Sequence, residues 1–140
     1  YNSVGHNSTL ILGITPDTDG LIPEADMKRL KQLGKEIKRR FSKPLSKIQA
    51  KGEQLNIVLK KAKSINQVIL AEDIREGERV RKFVLEGKTT NGWKELIKGS
   101  CIGHKFIGRF DDVNVTEIRL NILDSQAEPI IKKFAVYQVR

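Results

Sequence analysis

One cysteine, one tryptophan, one methionine and four prolines are all that this 140-residue chain contains of those types. A lone Cys101 cannot close an internal disulfide, and it cannot supply the several sulfur or imidazole ligands of a zinc cage. No apolar run approaches the roughly 20 residues needed to cross a bilayer, so no membrane partner is expected. Tyr1 to Ile14 has neither a basic leader nor a small-residue cleavage site, so no signal peptide is expected within this stretch. A Gly-rich phosphate loop, a Ser/His/Asp set and a metal-ligand cluster are also missing, so neither cofactor nor metal is expected. Aromatic residues make up only 6% of the chain, which leaves few side chains for stacking on bases.

Charge is plentiful. The formal net charge is +9, and its placement is uneven. The first seventy residues hold thirteen Lys/Arg against six Asp/Glu, and the last seventy hold thirteen against eleven. The excess is concentrated between Lys28 and Lys63. A nucleic-acid binder built on that stretch would show affinity falling steeply with salt. Its only aromatic is Phe41, which falls on an apolar helix face, so a solvated basic face is expected and no nucleic-acid partner.

The pattern of apolar residues sets out the elements. Thr9 to Ile14 is a nearly continuous apolar run, the pattern of a strand covered on both faces. Nothing upstream in the chain could pair with it, so the chain is expected to be the tail of something larger. Pro16-Asp-Thr-Asp-Gly20 reads as a turn, and Pro23 fits the first position of a helix. Met27, Leu30, Leu33, Ile37 and Phe41 then recur at spacings of three and four, one apolar stripe. Residues 42–54 are polar, with Pro44 and Gly52, and read as a linker and domain boundary.

Beyond it the period becomes two. Leu55 to Leu59, Ile65 to Leu70, Val80 to Leu85, Trp93 to Ile97, Lys105 to Phe110, Val113 to Ile122 and Ile130 to Val139 read as seven or eight short strands. With Gly, Asn and Asp turns between them they predict a mainly β chain, an antiparallel β-sandwich over residues 55–140.

Several residues invite chemistry and have a plainer explanation. Asp17-Thr-Asp19-Gly20 opens like a calcium loop, but no further acidic ligands follow at the required spacing, so a turn is expected. Glu72 and Asp73 are adjacent on a strand end and point to opposite faces, a poor geometry for a glycosidase pair. A carboxylate bonded to backbone or to Arg is expected there. His104 lies three residues from Cys101, and nothing else supports a nucleophile and base in that pair. Asn7-Ser-Thr9 and Asn114-Val-Thr116 fit the N-glycosylation pattern and overlap expected strands. Trp93 beside Gly92 is either a core anchor or a platform for a sugar ring.

The order of segments says more than any one motif. "STLILGITPDTDGLIPEADMKRLKQLGKEIKRRF" precedes "INQVILAEDIREGERVRKFVLEG", "GWKELIKGSCIGHKFIGRF" and "VTEIRLNILDSQAEPIIKKFAVY". This succession resembles the C-terminal part of bacterial α-L-fucosidases of glycoside hydrolase family 29. The resemblance implies that residues 1–41 are the last strand and helix of a catalytic (β/α) barrel. It implies that residues 55–140 are an accessory sandwich of the discoidin or galactose-binding type, a jelly roll. The family's activity is retaining hydrolysis of terminal α-L-fucose by an Asp nucleophile and a Glu acid/base, both carried earlier in the barrel. No catalytic residue is therefore expected in this chain, and it should be inactive alone. The implied partners are a fucosylated glycan, through the parent enzyme, and the chain's own barrel. The implied setting is secreted or periplasmic. Two other readings stand beside this one. A stand-alone carbohydrate-binding module would use Trp93, His104 and Arg109 as its first candidate sugar contacts. A basic nucleic-acid-binding domain would use Lys28 to Lys63.

Overall fold

Two strands of about twenty residues organise the molecule. In the computed structural model, which describes residues 1–139, β2 spans Gln54–Glu72 and β5 spans Phe106–Ser125. They run antiparallel to each other, with register breaks between Val58 and Lys63 and between Ile65 and Gln67. The other strands are β1 (Ser46–Lys51), β3 (Val80–Thr89), β4 (Gly92–Gly99) and β6 (Ile130–Tyr137). The sheet order is β1-β6-β2-β5-β3-β4.

The register shows how one sheet becomes two layers. The C-terminal half of β2 pairs with β6 on its free side, from Gln67↔Tyr137 to Glu72↔Ile131. The C-terminal half of β5 pairs with β3, from Lys88↔Glu117 to Val80↔Ser125. The first layer therefore contains β1, β6 and the near ends of β2 and β5, and the second contains their far ends with β3 and β4. The breaks in register let both long strands bend between the layers. This is the β-sandwich that the alternating pattern predicts.

The inner faces meet in one core. Val68, Leu70, Phe134 and Val136 come from the first layer, and Leu55, Ile57, Phe83, Leu85, Ile118 and Leu120 from the second. Phe83 meets Phe106 edge to face, with ring centroids 5.3 Å apart. Packing is close enough that a Cβ at Gly108 would collide with Ile97, and one at Gly99 with Phe83.

The outer faces differ. Along the first half of β2 every second residue is exposed, as expected of a sheet with one solvated face. In the first layer Gln67, Ile69, Ala71, Ile107, Ala135 and Tyr137 of the outer face are buried too. Residues 1–8 supply part of that cover. His6 bridges to Phe106, the Ile107 N–H donates to the Gly5 carbonyl (3.0 Å), and the Tyr1 hydroxyl donates to Gln67 Oε1 (2.6 Å).

Three expectations about the sandwich unit need correction. The stretch 42–54 is not a plain linker, because it carries β1, paired with β6 and with Ile48 packed against the core. Lys47, Gln49 and Lys51 are the solvent side of an edge strand, which disguises the alternation. The chain divides into Tyr1–Ser8 plus the chain from Pro44 onward, and Thr9–Lys43, so the first eight residues belong with the sandwich. Among the described residues, the seven or eight short strands expected after residue 54 are five, β2 to β6, because no Gly or Pro interrupts residues 59–64 or 111–112 and the chain continues there without a turn.

Thr9–Lys43 is described by itself. Thr9 to Ile14 pairs with no strand among the described residues, and Leu10, Ile11 and Leu12 are 52%, 86% and 52% exposed. A strand needs a second strand to satisfy its backbone, and the expected strand has none. Asp17 then closes a turn, its Oδ1 accepting from the N–H groups of Asp19 (3.0 Å) and Leu21 (2.9 Å). The helix α1 spans Glu24–Phe41, with Pro23 at its N-cap rather than inside it. Glu24 and Asp26 in the first turn and Lys38, Arg39 and Arg40 in the last complement its dipole.

Candidate functional site

The β3–β4 hairpin positions the tryptophan. Thr89 pairs with Gly92, the Thr89 hydroxyl donates to the Gly92 carbonyl (2.9 Å), and Gly92 takes φ +101°, a conformation that suits glycine. The next residue, Trp93, pairs with Lys88, and Lys88 in turn pairs with Glu117 of β5. Two residues back along β3, Glu86 pairs with Arg119. Strand alternation puts Lys88 and Glu86 on one face, together with Glu117, Arg119 and Asn121. That is the solvated face of the second layer.

These side chains form a connected set. The Arg119 guanidinium lies 4.0 Å from the centre of the Trp93 ring, and the Lys88 ammonium 5.9 Å from it. Glu86 Oε2 accepts from Arg119 Nε (3.0 Å) and from the Asn121 amide (2.5 Å). Lys88 pairs with Glu117 at 3.7 Å. Trp93 stays 37% exposed, so it is not the core anchor of the sandwich; Phe83 and Phe134 fill that role.

The other two candidate sugar contacts lie elsewhere. Arg109 is on the first-layer part of β5, with its guanidinium 4.3 Å from the centre of the Tyr1 ring. His104 is exposed in the connection between β4 and β5. Trp93 and Arg109 thus lie on different strands with separate ring contacts, and His104 lies in the connection between those strands. Arg119, Glu86 and Asn121 were not evident from sequence. The period-two alternation of β5 marks Arg119 and Asn121 as outward-facing, but only the register with β3 brings Glu86 to them.

The remaining candidates take structural roles. Glu72 is 1% exposed, and its carboxylate accepts three backbone N–H groups: Arg79 and Val80 at 3.0 Å and Gly103 at 2.8 Å. It ties the end of β2 to the segments before β3 and β5, as expected of a strand-end carboxylate. Asp73 faces away and pairs with Arg75 at 2.6 Å, whose hydrogen bonds hold its carboxyl down at about 2. Asp73 and Arg75 with Glu76, Arg79 and Ile130 line a small open cavity of about 210 Å³ whose charges are paired among themselves.

Cys101 donates to Glu78 at 3.5 Å rather than to His104. Burial and the Glu78 charge push its thiol up, away from a nucleophilic thiolate. Asn7 is engaged, its Oδ1 accepting the Lys105 N–H at 2.8 Å. No group of three or more His, Cys, Asp or Glu among the described residues could hold a metal ion. The basic stretch from Lys28 to Lys63 is spread over α1, β1 and the bend of β2. In α1, Glu36 pairs with Arg39 and Arg40, both at 2.6 Å. No helix among the described residues is long and apolar enough to cross a membrane.

This architecture has close counterparts among solved structures. A Bacteroides thetaiotaomicron protein described as a candidate α-L-fucosidase superposes over 99% of the chain with a TM-score of 0.96 and 45% identity. The chain is a homologue of part of the family 29 α-L-fucosidases. A glycoside hydrolase 29 family member from a rumen bacterium matches all of it at 34% identity and a TM-score of 0.88. The α-L-fucosidase 1 of Arabidopsis thaliana is 26% identical over 98% of the chain. The chain spans between about a quarter and a third of the length of these relatives: 32%, 27% and 34% respectively. No family model matches it. The resemblance to the C-terminal region of α-L-fucosidases is therefore borne out, and so is the β-sandwich it implies.

Proposed function

We propose that this polypeptide is the C-terminal accessory region of an α-L-fucosidase whose catalytic residues lie in a barrel outside these 140 residues. The parent enzyme removes terminal α-L-fucose from glycans with retention of configuration, in a secreted or periplasmic setting. Its substrate is a fucosylated glycan, and the barrel is this region's own partner. The observation that carries this reading is the match over 99% of the chain to only 32% of a candidate fucosidase. The chemistry of the described residues agrees with it. The buried carboxylate of Glu72 is consumed by backbone hydrogen bonds, and Asp73 is ion-paired, so neither is poised as an acid or a nucleophile.

In the same reading, Thr9 to Ile14 and α1 are the last strand and helix of the barrel. Their exposed Leu10, Ile11, Leu12, Leu33 and Ile37 are the surfaces the barrel covers. The sandwich supports the barrel mechanically. The test is an assay of this chain with 4-nitrophenyl α-L-fucoside, alone and as part of the longer polypeptide. The chain alone should give no turnover above background, and the longer polypeptide should release fucose first as the α-anomer. Turnover by the chain alone, or no fucosidase activity in the longer protein, overturns the proposal.

A further inference from the structure

We propose that the outer face of the second layer, around Trp93, is a docking site for a neutral oligosaccharide. Trp93 is the chain's only tryptophan and is 37% exposed, with polar and charged side chains as its immediate neighbours. An exposed ring of this size has no core-packing role to explain it, while its apolar body and polar edge suit the C–H face of a sugar. The ring is not loose. Arg119 lies 4.0 Å from its centre, and Arg119 is held by Glu86, which also takes the Asn121 amide. Such a preorganised set lowers the ordering cost of binding.

The charges decide the class of ligand. Arg119 is paired with Glu86 at 2.9 Å and Lys88 with Glu117 at 3.7 Å, so the two cations nearest the ring are each balanced by a carboxylate. An acidic glycan or a nucleic acid would meet as many carboxylates as cations. A neutral sugar meets what its hydroxyls need, donors and acceptors in a fixed array beside an aromatic ring. The proposal rests on the residues of this sheet face and does not depend on the fucosidase reading.

The single tryptophan makes the test specific. Titration of the full chain with 2′-fucosyllactose, lacto-N-tetraose and cellopentaose, up to about 10 mM each, should produce a saturable change in tryptophan emission with at least one of them. Ligand-observed NMR should show Trp93→Ala weakening that interaction about tenfold or more. Glu86→Gln and Asn121→Ala should weaken it about three- to tenfold. Trp93→Phe keeps a ring and should lose less than Trp93→Ala, which separates stacking from misfolding. Circular dichroism melts check that each variant is folded. Absence of binding to all three sugars overturns the proposal, as does binding that leaves the emission unchanged or survives Trp93→Ala. Preferential binding of a heparin hexasaccharide, lost on adding salt, overturns the choice of a neutral ligand. None of these failures bears on fucoside hydrolysis by the longer polypeptide.

Discussion

Residues 9–43 and the sandwich are both written with clear apolar patterns, and the two patterns end differently. In the sandwich, Val68, Leu70, Phe83, Leu120 and Phe134 have no exposure at all. In α1, no residue of the stripe is fully buried, and Leu33 and Ile37 are 41% and 49% exposed. The helix still forms, because its hydrogen bonds run to its own preceding turn and its end charges suit its dipole. Thr9 to Ile14 does not form a strand, because a strand's bonds must come from another strand. Periodicity thus specifies an element, but it does not supply the element's partner.

The largest effect should come from emptying the sandwich core. Phe83→Ala should cost about 3–5 kcal/mol of unfolding free energy in urea titrations. Leu33→Ala in α1 should move the same transition by less than about 0.5 kcal/mol. Equal effects would erase the distinction between the two regions.

Next is the buried carboxylate. Glu72→Ala leaves the N–H groups of Arg79, Val80 and Gly103 without their acceptor, at about 1–3 kcal/mol for each group left unsatisfied and buried. The expected total is about 3 kcal/mol after local water entry, with partial recovery in Glu72→Gln, which keeps one acceptor oxygen. The comparison is sharpened if hydrogen exchange quickens at Val80 and Gly103 and stays unchanged in α1. A loss of stability with no such local change would break it.

The smallest effect is electrostatic and touches both regions alike. Asp73 in the sandwich and Glu36 in α1 are each held at about 2, first by hydrogen bonds from Arg75 and from Arg39 respectively. A carboxyl whose folded value is lowered stabilises the fold fully above its ordinary value. That contribution is lost as pH falls through the folded value. Both contributions should therefore be constant above about pH 5 and fade between about pH 4 and 2. Carboxyl-detected NMR titration should find both midpoints near 2, and Arg75→Ala should return Asp73 toward its ordinary 3.8. Both pairs are exposed, so the accompanying change in stability should be slight.

Much of the fold is legible in the residues. Leu55, Ile57 and Leu59, or Ile118, Leu120 and Ile122, announce a one-sided strand by alternation alone, and α1 is marked by its stripe and terminal charges. The strand β1 was not legible, because Lys47, Gln49 and Lys51 present an edge strand's solvent-side chemistry, which is also that of a linker. The long strands read as separate pieces because a bend made by register shifts leaves no Gly or Pro to mark its nature. For the site, Trp93 could be singled out by type. Its grouping with His104 and Arg109 did not follow from any spacing, and Arg119 and Asn121 beside it come from a strand more than 20 residues away.

The sequence by itself determined where strands and a helix can form, that alternate residues of β2 and β5 face a core, and that its one cysteine closes no internal disulfide. Local backbone preferences and side-chain type are sufficient for those. Only the tertiary structure decided that residues 1–8 join the sandwich, that Glu72 serves three backbone donors, and that Arg119, Glu86 and Asn121 gather beside Trp93. These depend on cross-strand register, a relation between distant segments that no local pattern encodes.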